Sequence, residues 1–183
     1  MGELTILIAS ARAGDSGAIG QLYELLYTEL RQIAHAKMRQ SGDQTLLGTT
    51  ALINESYLRL VKLGKLQIAD RAHFLAYAAR TMRSVLVDFA RQRLAQRRGG
   101  DHLQVTLDTE IADAATAESE QIVRVHEALQ ELAALDERLV QVVEMRYFAG
   151  LEEQEIAEAL GVSVRTVQRD WDKARTFLFA QLK

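Results

Sequence analysis

Glu152–Leu178, EEQEIAEALGVSVRTVQRDWDKARTFL, is the stretch whose reading decides the fold. Ile156, Ala157 and Leu160 form a single apolar face at helical spacing in its first half. Gly161 then supplies a tight turn, where a left-handed backbone costs least in a residue without a Cβ. Ser163 stands where a hydroxyl caps the next helix, and Val162 and Val167 are spaced as a hydrophobic staple. Val164, Val167, Trp171, Ala174 and Leu178 follow at steps of three and four, the inward stripe of a second helix. The stretch is therefore a helix-turn-helix. Its outward face offers Arg165, Thr166, Gln168, Arg169 and Lys173. Recognition helices read the major groove with side chains near their N-terminus. Arginine pairs with guanine and glutamine with adenine. Arg165, Thr166 and Arg169 are the candidate base readers, with Ser163 and Gln168 beside them. Lys173 and Arg175 suit phosphate contacts. Asp170 and Asp172 would repel phosphate unless they point sideways.

The same period runs back through the chain. After Gly14-Asp15-Ser16, apolar residues recur at Ile19, Leu22, Leu26, Leu30 and Ile33, one face of a helix that Ser41-Gly42-Asp43 breaks. Thr49 or Thr50 is placed to cap a second helix carrying Leu52, Ile53, Tyr57, Leu60 and Val61, which Gly64 interrupts. A long helix is predicted from about Arg71 to Arg97, ended by Gly99-Gly100. Asp101 to about Thr116 is acidic and poorly periodic, the signature of a flexible linker. Helices resume over Ala117–Ala134, Asp136–Phe148, Glu152–Leu160 and Ser163–Gln181. Leu103–Leu107 alternates like a strand but is short and lies in the linker. The expected fold is all-α. It has an N-terminal helical domain over residues 1–99, an acidic tether over 100–117 and a helix-turn-helix domain over 118–183.

Composition removes several classes of function. The chain has no cysteine and only four scattered histidines, so no metal site is expected. No apolar run approaches the ~20 residues that span a bilayer. The N-terminus has no signal-peptide pattern, so the expected location is the cytoplasm. No glycine-rich phosphate loop and no nucleophile motif appear, so neither an enzyme nor a cofactor is expected.

The net charge of −3 hides a strong asymmetry. Arg71 to Arg98 holds seven arginines against one acid, and Gly161 to Lys183 five bases against two acids. Between them, Asp101 to Leu160 carries fifteen acids against three arginines. Two basic islands on one chain point to two contacts with nucleic acid. Wound at 100° per residue, the long helix gathers Phe74, Ala78, Met82, Val85 and Phe89 on one side. Arg80, Arg83, Arg91 and Arg98 fall on the other. Such a ridge suits a phosphate backbone, and it also suits an acidic protein or the chain's own linker. Lys65, Arg71, His73 and Tyr77 lie near enough in sequence to grip an unstacked strand. Phe74 reads more simply as core.

Three segments, in order, resemble the bacterial extracytoplasmic-function (ECF) sigma factors. LINESYLRLVK (Leu52–Lys62) resembles the region-2 helix that docks on core RNA polymerase. RAHFLAYAARTMRSVLVDFARQR (Arg71–Arg93) resembles the promoter-melting helix, and GVSVRTVQRDWDKARTFL (Gly161–Leu178) the region-4 recognition helix. The resemblance implies a transcription initiation factor with core polymerase and promoter DNA as partners, and it leaves an anti-sigma factor open. Asn54, Glu55, Tyr57, Leu58 and Arg59 would contact polymerase. Arg165, Thr166 and Arg169 would read the −35 element. Lys65, Arg71, His73, Arg80, Arg83 and Arg91 would hold the opened −10 strand. The linker acids Asp101, Asp108, Glu110, Asp113 and Glu118 either mimic nucleic acid in the polymerase or merely solvate a tether. The alternative function is a helix-turn-helix regulator that binds duplex DNA without polymerase.

Overall fold

The structure is a computed structural model describing residues 2–40, 47–98 and 109–183. These residues form helices and no strand: α1 (Glu3–Arg12), α2 (Ser16–Leu25), α3 (Tyr27–Gln40), α4 (Thr49–Leu63), α5 (Arg71–Arg98), α6 (Thr109–Leu135), α7 (Glu137–Val143), α8 (Glu153–Leu160) and α9 (Val164–Gln181). A π-helical turn, Glu144–Phe148, continues α7. The all-α expectation holds. The predicted breaks at Ser41–Asp43 and Gly99-Gly100, and the strand-like Leu103–Leu107, lie outside the described residues.

Local chemistry explains most boundaries. Asp15 caps α2, its carboxylate accepting from Gly17 N at 2.8 Å. Asp136 caps α7 through Arg138 N at 3.0 Å. Gly64 ends α4 at φ +73°, where a side chain would strain the backbone. Neither Thr49 nor Thr50 caps α4, because the N-cap position falls one residue earlier, on Gly48. The single helix expected after Ser16 is two, bent at Leu26, yet Ile19, Leu22, Leu26, Leu30 and Ile33 all remain buried.

α5 is the axis. Phe74, Leu75, Met82 and Val85 are fully buried against Leu22, Leu30, Leu52 and Leu60 from α2, α3 and α4. Tyr23 packs edge-on to Phe74 and Tyr57, at 5.8 and 5.2 Å between ring centres, and its hydroxyl bonds Ser56 at 3.1 Å. Burial pushes the Tyr23 phenol's pKa far up, so it stays neutral.

The C-terminal half does not stand apart. Val142, Met145, Ala149, Leu151, Ile156, Ala157 and Val167 belong to the same apolar core as α1–α5. A smaller core, with Leu129, Leu132, Leu139 and Ala174, lies beneath Trp171 and Phe177. α6 begins at Thr109, within the segment 100–117 expected as a tether, and lies along α5; the rest of that segment, residues 100–108, is outside the described residues. Alanine is the strongest helix former. Ala115 and Ser119 are buried in that contact, and the Ser119 hydroxyl donates to the Ala115 carbonyl at 2.9 Å.

A shared core predicts one cooperative unfolding transition. Phe74→Ala removes a fully buried ring and should cost about 3–5 kcal/mol. Trp171, the sole tryptophan, sits in the other half. Its fluorescence should show the urea midpoint falling as far as helical circular dichroism does. Two separate transitions would contradict a shared core.

Candidate nucleic-acid interface

The helix-turn-helix is assembled as its residues require. Glu152 and Glu155 form a reciprocal capping box at the start of α8, and Gly161 ends it in the left-handed region at φ 65°. Ser163 caps α9, accepting from Thr166 N at 3.2 Å. Val167, Ile156 and Ala174 are buried, while Val164, Trp171 and Leu178 are half-buried. Arg165, Gln168, Arg169 and Lys173 are exposed on the outer face. Thr166 is half-buried, with its hydroxyl 3.0 Å from that of Ser163. Gln168 donates to Glu153 at 2.7 Å, and Arg146 holds the other oxygen of that carboxylate at 2.5 Å.

The two aspartates of α9 differ. Asp170 is 1% exposed and points inward, accepting from Arg138 Nε at 2.7 Å with Arg169 Nε at 3.5 Å. That hydrogen bond raises the Arg138 pKa, fixing its charge. Asp170 is thus structural and leaves the outer face of α9. Asp172 stays exposed, 3.4 Å from Arg175.

A second surface lies between α4 and α5. An open groove of about 510 Å³ is lined by Arg59, Lys62, Leu63, Tyr77, Arg80, Thr81 and Ser84. Arg59 is fixed by Asp88 at 2.7 Å and Ser84 at 3.2 Å. Cations and an aromatic ring around an open trough are the groups that hold a single strand. Outward from it, α4 exposes Asn54 and Leu58, with Glu55 3.8 Å from Arg59.

The arginine ridge expected on α5 is interrupted. Arg80 and Arg91 are exposed, but Arg83 is buried beneath the π-helical turn and α6. It forms an ion pair with Glu144, itself buried, and lies 5.4 Å from the centre of the Phe148 ring. Lys37 is buried in the same place, its ammonium 3.9 Å from that ring centre. Burial lowers the Lys37 pKa well below its ordinary value; Arg83 lowers it further and Glu144 opposes. Arg83 cannot reach a DNA backbone in this arrangement. Arg71 is held by Glu29 at 3.2 Å and by Glu155 of α8 at 3.1 Å.

The family described as ECF sigma factor matches residues 1–183. The chain belongs to the ECF sigma factors. No curated protein and no solved structure matches it. This sigma factor acts in promoter-specific transcription initiation, a role that implies binding to core RNA polymerase and promoter DNA. Among its described residues no helix is long and apolar enough to cross a membrane, and no cluster of ligating side chains fits a metal ion.

Placement divides the expected site residues of the sigma factor. The recognition-helix set shares one face, although Ser163 is engaged in capping and Gln168 is tied to Glu153. In the region-2 set, Lys65, Arg80 and Arg91 are exposed. His73 is half-buried and bonds Asp70 at 2.9 Å. Tyr57 packs on Tyr23, so its ring serves the core. Lys62 and Leu63 were not singled out from the sequence. Their spacing from Arg59 marks one face of α4, but only the packing shows that this face borders Tyr77 and Arg80.

His126 of α6 lies beside Arg83, Nδ1 to the guanidinium at 3.0 Å. Burial lowers its pKa below the ordinary 6.5, and Arg83 and Arg91 lower it further, against Asp88 and Glu127. The unfolded chain therefore takes the proton more readily, and the stability due to neutral His126 is lost as pH falls below the unfolded value, about 6.5. Between pH 7.5 and 5.5 the urea midpoint should drop further in the wild type than in His126→Gln. Equal drops would show that His126 does not contribute.

Proposed function

We propose that the chain works as a two-contact promoter reader on core RNA polymerase. Residues 118–183 read the −35 duplex and residues 1–99 dock on polymerase and capture the opened −10 strand. The observation that carries this reading is a preformed recognition helix with exposed Arg165 and Arg169, on a chain with a separate basic, aromatic groove between α4 and α5. Two such surfaces of different shape suit two states of DNA, duplex and single strand.

On this reading Arg165, Thr166 and Arg169 face base edges, with the exposed guanidinium groups of Arg165 and Arg169 making bidentate contacts to guanine. Lys173 and Arg175 neutralise phosphates. Arg80 and Tyr77 of α5, with Lys62 of α4 across the groove, hold the single strand, and Lys65, His73 and Arg91 flank it. An unstacked base costs a few kcal/mol to extract, which stacking and backbone contacts must return. The polymerase meets the outward face of α4 through Asn54, Glu55, Leu58 and Arg59. Leu58 is half exposed on that face, as an apolar anchor at an interface requires.

The test is a pull-down with bacterial core RNA polymerase, followed by mapping of transcript starts on genomic DNA. The expected result is stoichiometric binding and a new set of starts sharing two spaced elements. Leu58→Asp should abolish polymerase binding while leaving circular dichroism unchanged. Arg165→Ala should cost ~1–3 kcal/mol at the −35 element and relax its sequence. Specific duplex binding by the chain alone, with no polymerase binding, would replace this reading with the stand-alone regulator.

A further inference from the structure

Beside the buried pair of Arg83 and Glu144 lies a cavity of about 220 Å³, where α3, α5, α6 and the π-helical turn meet. Leu86, Ile122, Val125 and Phe148 give it apolar walls, and Lys37 and Arg83 give it two cations. No aspartate or glutamate among the described residues lines it. It shares no residue with the groove between α4 and α5 or with the outer face of α9. The hydrogen bonds of Arg83 are incomplete. Its Nη2 donates to Glu144 and its Nη1 lies 3.0 Å from His126 Nδ1, but its buried Nε has no acceptor among the described residues. A buried donor left unpaired is costly, and most so on a charged group. The Lys37 ammonium is buried 3.9 Å from the centre of the Phe148 ring, and burial, reinforced by Arg83, lowers its pKa. A negative charge in the cavity would favour the charged form of Lys37 and offer Arg83 an acceptor.

We propose that this cavity binds a small carboxylate with a compact apolar body, its charge between Lys37 and Arg83 and its body against Leu86, Ile122 and Val125. Guanidinium and ammonium groups make their strong, short hydrogen bonds to carboxylate oxygens. An apolar cavity of ~150 Å³ takes a benzene ring, so this one holds a single ring together with its carboxylate. A phosphate suits it less well, because the apolar walls offer its remaining oxygens no donors. A wholly apolar ligand would leave Arg83 Nε unpaired, and an amine would meet two cations. The site therefore selects for both parts of the ligand, the charge and the apolar body.

Benzoate and its neutral counterpart benzamide are the probes, with binding to the full chain read by equilibrium dialysis at neutral pH. Benzoate should bind at least about tenfold more tightly than benzamide, the margin of a charge-assisted over a neutral hydrogen bond. Lys37→Met keeps an unbranched side chain and removes its charge. It should weaken benzoate about tenfold and leave benzamide unchanged. Gln121, an exposed residue of the cavity wall, supplies a second variant should Lys37→Met lose its helical circular dichroism. Gln121→Glu sets an acid beside the ligand and should weaken benzoate several-fold without moving benzamide. Equal affinities for benzoate and benzamide, or no binding of either, overturn the proposal. A benzoate affinity that no folded variant changes overturns it as well, since the anion is then held elsewhere on the chain.

Discussion

The buried ion pair between Arg83 and Glu144 constrains this fold more than any other single contact. Arginine always carries its charge, so a position inside the protein is tolerable only with an acid against it. Removing either partner leaves an uncompensated charge at a cost of about 3–5 kcal/mol. The pair therefore dictates that the end of α7 lie across the middle of α5, and that Phe148 roof the site with its ring over Lys37 and near Arg83. His126 closes the remaining side from α6, and burial, reinforced by the two nearby arginines, lowers its pKa. The π-helical turn is integral to the same solution. Its wider winding changes the side-chain register over one turn, and Glu144 and Met145 are both buried there while Phe148 packs against the core.

Much of the secondary structure was legible in the sequence because its signals are local. The capped turn at Gly161 and Ser163, the stripe from Val164 to Leu178, and the apolar faces of α2 to α5 depend on residues within a few positions of one another. α1 carries the same local signal: Leu4, Leu7, Ile8 and Ala11 repeat at helical spacing, and the last three are buried. The start of α6 is hidden in the sequence because its acidic composition masks the helix propensity of its alanines. Burial against α5 decided the matter.

What the sequence withheld is which face of α5 is covered. Winding the helix separates apolar residues from arginines and suggests an exposed ridge. Arg83 is nonetheless buried while Arg80, three residues earlier, is 63% exposed on its side chain. The difference comes from α6 and the π-helical turn, whose bonding partners for Arg83, His126 and Glu144, lie 43 and 61 positions away in sequence. The inward turn of Asp170 has a similar origin, since its partner Arg138 belongs to α7. Periodicity assigns a residue to a face of its own helix, but not to what packs on that face.

The same long-range pairings resolve an apparent conflict in the composition. A chain with net charge −3 and fifteen acids between its two basic islands is a poor prospect for nucleic acid if every charge faces solvent. Here several acids point at the chain's own cations: Glu144 at Arg83, Glu155 at Arg71, Glu153 at Arg146, Asp170 at Arg138. These pairs remove negative charge from the surroundings of α9, whose outer face keeps Arg165, Arg169 and Lys173 exposed. They remove positive charge from α5, where Arg71 and Arg83 are both engaged. The two basic islands therefore differ in this packing: Arg165, Arg169 and Lys173 of α9 stay exposed, whereas Arg71 and Arg83 of α5 are engaged by acids of the C-terminal half.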